Sequence, residues 1–209
     1  MAEHLICKSG KKEINWDVST VCPHCGNRVT LDPIGDDINI DGNFVGGQRV
    51  CPNPKCHGHI FIVRTGCDIV YQYPPLRISF EKEDIPLTIL KTFDEAITCH
   101  SEKCYIASAI MIRRTLEEVC EERGAKGKDL SDRIKDLQSK IVLPKELLEA
   151  MDELRLLGND AAHIEAKTYK DISEDEINVA ITFTIEILKA LYQYSTLLDK
   201  MRSLKKTKP

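Results

Sequence analysis

At 209 residues, 42% of them hydrophobic, the chain is long enough for one large or two small domains around a real core. A net charge of −4 excludes indiscriminate binding of nucleic acid. No apolar run approaches the ~18–20 residues of a membrane span and the start lacks a signal peptide's apolar segment, so a cytoplasmic location is expected.

The first 76 residues read as a small β module. Turn chemistry at Asp36-Asp37, Asp41-Gly42-Asn43 and Gly46-Gly47 breaks this stretch at short intervals, and His59 to Val63 and Cys67 to Tyr73 are strand-like. Within it, Cys22-Pro-His-Cys25-Gly26 and Cys51-Pro-Asn-Pro-Lys-Cys56 supply two cysteine pairs at metal-ligand spacing. In a reducing compartment such pairs favour metal over disulfides. Cys22, Cys25, Cys51 and Cys56 are therefore the expected ligands of a structural Zn2+, with Gly26 permitting the tight turn after the first pair. His57 and His59 stand beside the second pair, so a histidine replacing Cys56 stays open, as does a site without metal. Four protein ligands leave no position for water, and so few large apolar residues need such a staple. Trp16, Arg28, Arg49 and Arg64 offer a recognition surface on the ribbon, or are simply solvated. Cys7 and Cys67 remain unassigned.

Pro74-Pro75 stiffens the exit, and residues 77–83 form a linker. From Pro86 onward the hydrophobic period becomes 3.6, which predicts helices over 86–100, 103–123, 129–139, 144–162 and 173–203. Cys99, Cys104 and Cys120 lie on these helices, where cysteine behaves as a small apolar residue. Ser173-Glu-Asp-Glu176 is a capping box, and the apolar stripe that follows suits a bundle or a partner helix. Residues 81–199 carry 16 basic and 25 acidic side chains, and the end from Lys200 adds five basic residues, of which 204–209 form a basic tail. Contacts to phosphates are then local, through Arg113, Arg114, Arg123, Lys126, Lys128, Arg155 or that end. The resulting fold class is α+β: a zinc-ribbon β module at 1–76 followed by an all-α bundle at 84–203.

Arg155-Leu-Leu-Gly-Asn159-Asp-Ala-Ala-His163 stacks an arginine, an amide and a histidine at i, i+4 and i+8 of a helix. Together with Arg113-Arg-Thr-Leu-Glu117, Gly124-Ala-Lys-Gly127 with Leu130, Leu143-Pro144, the Cys-Pro-x-Cys-Gly ribbon and Tyr73-Pro-Pro75, it resembles the domain of unknown function 4145 (DUF4145), a family placed in the HEPN superfamily. The resemblance implies a four-helix up-and-down bundle, usually a homodimer, with the Arg and His of both protomers facing across a cleft. Many HEPN proteins are metal-independent endoribonucleases of defence, toxin or RNA-processing systems; others only bind nucleotides or partners. The nucleases carry a shorter Arg-to-His spacing with a polar residue after the Arg, whereas here seven residues intervene and Leu156 follows Arg155.

Two functions follow. In one, Arg155 stabilises the charge developing on a phosphate, His163 transfers protons near neutral pH, and Asn159 orients either group, cutting RNA without a metal. In the other, the chain is a non-catalytic module that binds nucleic acid or docks a protein in a defence or restriction system. Arg155, Asn159 and His163 then form a buried polar cluster with Glu117, and Arg113 and Glu117, one turn apart, an ion pair.

Overall fold

The computed structural model describes residues 12–13, 17–163, 165, 168–169 and 172–205. Cys7, Trp16, Lys206 and Lys208 lie outside the described residues. The chain divides into two compact units, residues 1–79 and 80–209. It is an α+β protein, with an antiparallel sheet first and helices after.

The first unit holds β1 (Lys12–Glu13), β2 (Val18–Val21), β3 (Arg28–Asn39), β4 (Val45–Val50), β5 (His59–Thr65) and β6 (Asp68–Tyr73). The order is β1-β3-β4-β5-β6, and β2 pairs with the first part of β3, so the long β3 carries both short strands. Val18 pairs with Leu31, and with Ile60, Ile62, Cys22 and Cys51 these two side chains make the buried cluster of the unit. Two of its six members are cysteines, so the apolar core is small even for a module of this size.

Only one of the three expected turns is a turn. Asp41 Oδ1 accepts from the N–H groups of Asn43 and Phe44, Gly42 takes φ +96°, and Ile40 N–H bonds Phe44 O at 2.7 Å. Asp36 and Asp37 instead lie inside β3, in a register shift between Ile34 and Ile38. Gly46 and Gly47 lie inside β4. The reason is a buried ion pair: Arg49 of β4 grips Asp37 with two bonds of 2.6 and 2.7 Å, both side chains 2% exposed. A Cβ at Gly47 would stand 1.9 Å from Asp37 Oδ1, so the glycine makes room for the carboxylate rather than ending the strand.

The second unit holds α1 (Leu87–Ser101), α2 (Tyr105–Glu122), α3 (Leu130–Lys140), α4 (Lys145–Ala162), α5 (Glu174–Leu188) and α6 (Tyr194–Ser203). The last predicted helix is interrupted by a π turn, Lys189–Gln193, where one extra residue is accommodated. Tyr192 of that turn is buried, donates to Glu122 at 2.8 Å and lies under the Arg123 guanidinium, whose Nη2 bonds Leu191 O at 2.7 Å. These contacts at the end of α2 hold the π turn. Gly124 (φ +66°) ends α2, with Ala125 N–H returning to Cys120 O. Ser173 and Glu176 form the capping box of α5.

Helix α2 is the hub and packs against α1, α3, α4 and α5. Its face Ala109, Ile112, Leu116 and Val119 is buried at helical spacing, and Ser108 Oγ bonds Ala96 O of α1 in the interior. Helices α2 and α4 approach closely at Gly158. A Cβ at Gly158 would lie 2.4 Å from Arg113 Cβ and 3.1 Å from Ala109 O. Neither atom is the loose end of a side chain, so the helices must separate to admit one. Alanine's better helix propensity, ~1 kcal/mol over glycine, is outweighed by overpacking of about 1–3 kcal/mol. Gly158→Ala is expected to lower stability by up to about 2 kcal/mol in denaturant unfolding; greater stability would contradict the close contact.

Candidate metal centre and polar helix end

Cys22 closes β2, Cys25 and Gly26 form the turn into β3, and Cys51 and Cys56 bracket the loop between β4 and β5. Their four ligand atoms lie within 4.8 Å of one another. Cys22 Sγ is 3.8 Å from Cys56 Sγ and Cys25 Sγ is 3.8 Å from Cys51 Sγ, so each contact crosses from one pair to the other and none is a disulfide. Four thiolates at ~2.3 Å from a tetrahedral ion stand ~3.8 Å apart. The donor set therefore fits a metal site in both softness and spacing. His57 and His59 are exposed and lie outside the group.

The unequal spacing of the two pairs has a local cause. In the first turn Cys22 N–H bonds Asn27 O and Gly26 N–H returns to Cys22 O, with Gly26 at φ +73°. In the second, Cys51 N–H bonds Gly58 O, but His57 N–H returns to Asn53 O, and His57 takes φ +48°. Asn53 thus does with its carbonyl what Cys22 does in the first turn, and the ligand comes from two residues upstream. The Asn53 amide also sits 3.8 Å from Cys25 Sγ as a donor. His24 bonds His59 O at 2.9 Å, with its ring against Gly58 where a Cβ would be 2.1 Å away.

The three arginines expected on a recognition surface do not all reach one. Arg28 is exposed, but Arg49 is held by Asp37 in the interior, and Arg64 is 9% exposed with Nη1 on Gly66 O. Cys67 is exposed. Of the helical cysteines Cys120 is buried and Cys99 half-buried, as expected for small apolar residues, whereas Cys104 is the exposed residue capping α2.

Arg155 and Asn159 lie on α4, both partly buried. His163 is the residue after the helix, extended at φ −129° and ψ 115° and exposed, with its backbone N–H on Asn159 O. The helical stripe is thus broken before its third member. Arg155 Nε bonds Asp152 at 2.8 Å, one turn back on the same helix, and not Glu117. Glu117 takes Arg113 at 3.2 Å, and Arg113 Nη1 also donates to Arg155 O, tying α2 to α4 across Gly158. The expected cluster of Arg155, Asn159, His163 and Glu117 does not form. Arg114 pairs with Glu118 and Arg123 with Glu122, so most of the helical arginines are matched by acids.

A family model described as domain of unknown function (DUF4145) matches residues 94–206. The chain belongs to the DUF4145 family. The matched stretch begins within α1 and includes all of α2 to α6, so this DUF4145 chain carries its cysteine cluster ahead of the family domain. No curated protein and no solved structure matches it. No helix among its described residues is long and apolar enough to cross a membrane.

Asp152 and Gly158 are the neighbours of Arg155 and Arg113 that residue types alone do not single out. Asp152 stands three residues before Arg155 and was readable as an i, i+3 pair; the approach of Arg113 to Gly158 depends on how α2 and α4 cross and was not.

Ligation requires thiolates, and the cluster is poorly disposed to hold them without a cation. The Asn27 backbone N–H lowers the Cys25 thiol to about 7, while burial pushes Cys51 up to about 12. Cys51 keeps its proton at neutral pH until an ion displaces it, so metal uptake releases protons and affinity falls as pH falls. Competition against a chromophoric chelator is expected to show affinity for a soft divalent ion rising about a hundredfold or more from about pH 6 to 8, and a flat profile would contradict ligation by these thiols.

Proposed function

We propose that this DUF4145 protein is a docking component of a prokaryotic defence or restriction-type system, with no cleavage chemistry of its own. Zn2+ bound by Cys22, Cys25, Cys51 and Cys56 fixes the β ribbon; with four thiolates and no open position it has a structural role. The helical unit then presents a surface to nucleic acid or to a protein partner. The observation that carries this reading is the commitment of the polar helix end to the fold: Arg155 is spent on Asp152, Arg113 bridges Glu117 and Arg155 O, and His163 has left the helix. Pairing of Arg114 and Arg123 with acids on their own helix leaves little charge for broad phosphate binding.

A second reading, a metal-independent endoribonuclease, is favoured by one observation. Arg155 keeps 20% of its side chain exposed and His163 is exposed one turn beyond Asn159, so a second copy could complete a cleft around them. Asp152 is half-exposed, and an exposed pair of this kind is worth at most ~1 kcal/mol, which a phosphate can displace.

End-labelled single-stranded and structured RNA incubated with the full chain in EDTA separates the two. No product is expected from the wild type or from His163→Ala. Products with 2′,3′-cyclic phosphate ends, formed by the wild type and lost in a folded His163→Ala variant, would overturn the docking reading in favour of catalysis.

A further inference from the structure

Among the described residues, four cysteines gather at the metal centre, Cys120 is buried, and Cys67 is exposed in the turn between β5 and β6. The other two, Cys99 and Cys104, are brought together by the turn that joins α1 to α2. Lys103 takes φ +60°, its N–H returns to His100 O at 2.9 Å, and Cys104 N–H returns to Cys99 O at 2.8 Å. These are the two closing bonds of a helix that ends on a left-handed residue, and in that ending the side chains at the positions of Cys99 and Cys104 meet. A direct backbone bond sets Cα atoms ~5.5 Å apart, inside the ~4.4–6.8 Å that a disulfide spans. His100 lies against Tyr105 with ring centroids 6.0 Å apart, and Ser108 Oγ bonds Ala96 O further in, so the end of α1 and the start of α2 are held side by side.

The two thiols differ in access. Cys104 is exposed, with Sγ on Glu102 O at 3.6 Å, a weak bond that the side chain leaves by turning about one torsion. Cys99 is half-buried, and its burial, followed by the neighbouring Cys104 and Glu95, pushes its thiol up. Cys104 is thus the sulfur that a reagent in solution meets first, and Cys99 the one placed to resolve the adduct.

We propose that Cys99 and Cys104 form a reversible disulfide by exchange with a low-molecular-weight disulfide of the glutathione type. The Cys104 thiolate attacks one sulfur of the reagent, whose S–S bond breaks and releases one small thiolate. Cys99, losing its proton, then attacks the Cys104 sulfur of the mixed disulfide and displaces the second. Two protein thiols and one small disulfide become one protein disulfide and two small thiols, so electrons and protons balance without a further oxidant. The new bond ties the last turn of α1 to the residue that opens α2. It stiffens the turn beside Tyr105, whose hydroxyl bonds Glu174 at 3.1 Å, and so carries the redox state of the pair to the start of α5. The four thiols of the metal centre are committed to one another and stand outside this exchange.

The test equilibrates the zinc-loaded full chain with equal parts of oxidised and reduced glutathione, blocks free thiols, and digests with trypsin without reduction. Cleavage after Lys103 separates the two cysteines into peptides 92–103 and 104–113, so the disulfide appears in mass spectrometry as a linked pair of peptides. That pair is expected to exceed the glutathione adducts of either cysteine roughly tenfold or more, and to vanish on reduction. Cys99→Ser is expected to leave Cys104 as a stable glutathione adduct, which shows the order of attack. In the oxidised chain the amides of Lys103 and Cys104 are expected to exchange about tenfold more slowly than in the reduced one. Separate adducts on the two cysteines, linkage of either to Cys7 or Cys67, or amide exchange unchanged by oxidation would each overturn the proposal. None of these readouts involves RNA cleavage or partner binding, so the docking reading stands or falls separately.

Discussion

Four thiol sulfurs gathered within 4.8 Å are the constraint on which the first unit rests. Two of them, on Cys22 and Cys51, are fully buried and sit within an apolar cluster whose other members are only Val18, Leu31, Ile60 and Ile62. So small a core offsets little of the entropy of ordering six strands. A tetrahedral ion would turn the same cysteines into a cross-link between the β2–β3 turn and the β4–β5 loop, reinforcing the contacts of His24 with His59 O and of Asn53 with Cys25. The buried Arg49–Asp37 pair is a second tie between those strands, and Gly47 is the cost in side chain that it imposes.

In the helical unit the organising contact is α2 against α4. Gly158 allows the two backbones to approach, Arg113 spans the contact to Arg155 O, and Glu117 holds Arg113 in place. Gly158 and the backbone carbonyl of Arg155 thus have a packing role in this helical stretch. The side chain of Arg155 pairs with Asp152 on its own helix, so the lock between the two helices runs through Arg113, Glu117 and Gly158. What remains exposed is His163 at the helix end, the basic and apolar α6, and the acidic groove between α4 and α5.

The boundaries of the helices were legible because their signals are local: Pro86 and Pro144 before α1 and α4, Gly124 after α2, and the capping box at Ser173. The cysteine cluster was legible from spacing alone. Three features were not. The strand through Asp36-Asp37 and Gly46-Gly47 looked broken because turn-forming residues were serving a buried ion pair, a contact between positions 12 residues apart. The π turn at Lys189–Gln193 has no composition signal and is held by Glu122 and Arg123 from another helix. The third is not the helix end, expected at 162 and found at Ala162, but its consequence for His163, whose extended backbone just past that end takes the side chain out of the stripe.

Metal binding, folding of the ribbon and independence of the helical unit meet in one measurement: native mass spectrometry of the full chain, with amide exchange before and after chelation. The account predicts one zinc ion per chain, and on its removal a collapse of protection in the strands between residues 18 and 73 while helices α1, α2, α4 and α5 retain theirs. A chain that carries no metal, or strands whose protection survives chelation unchanged, would contradict it.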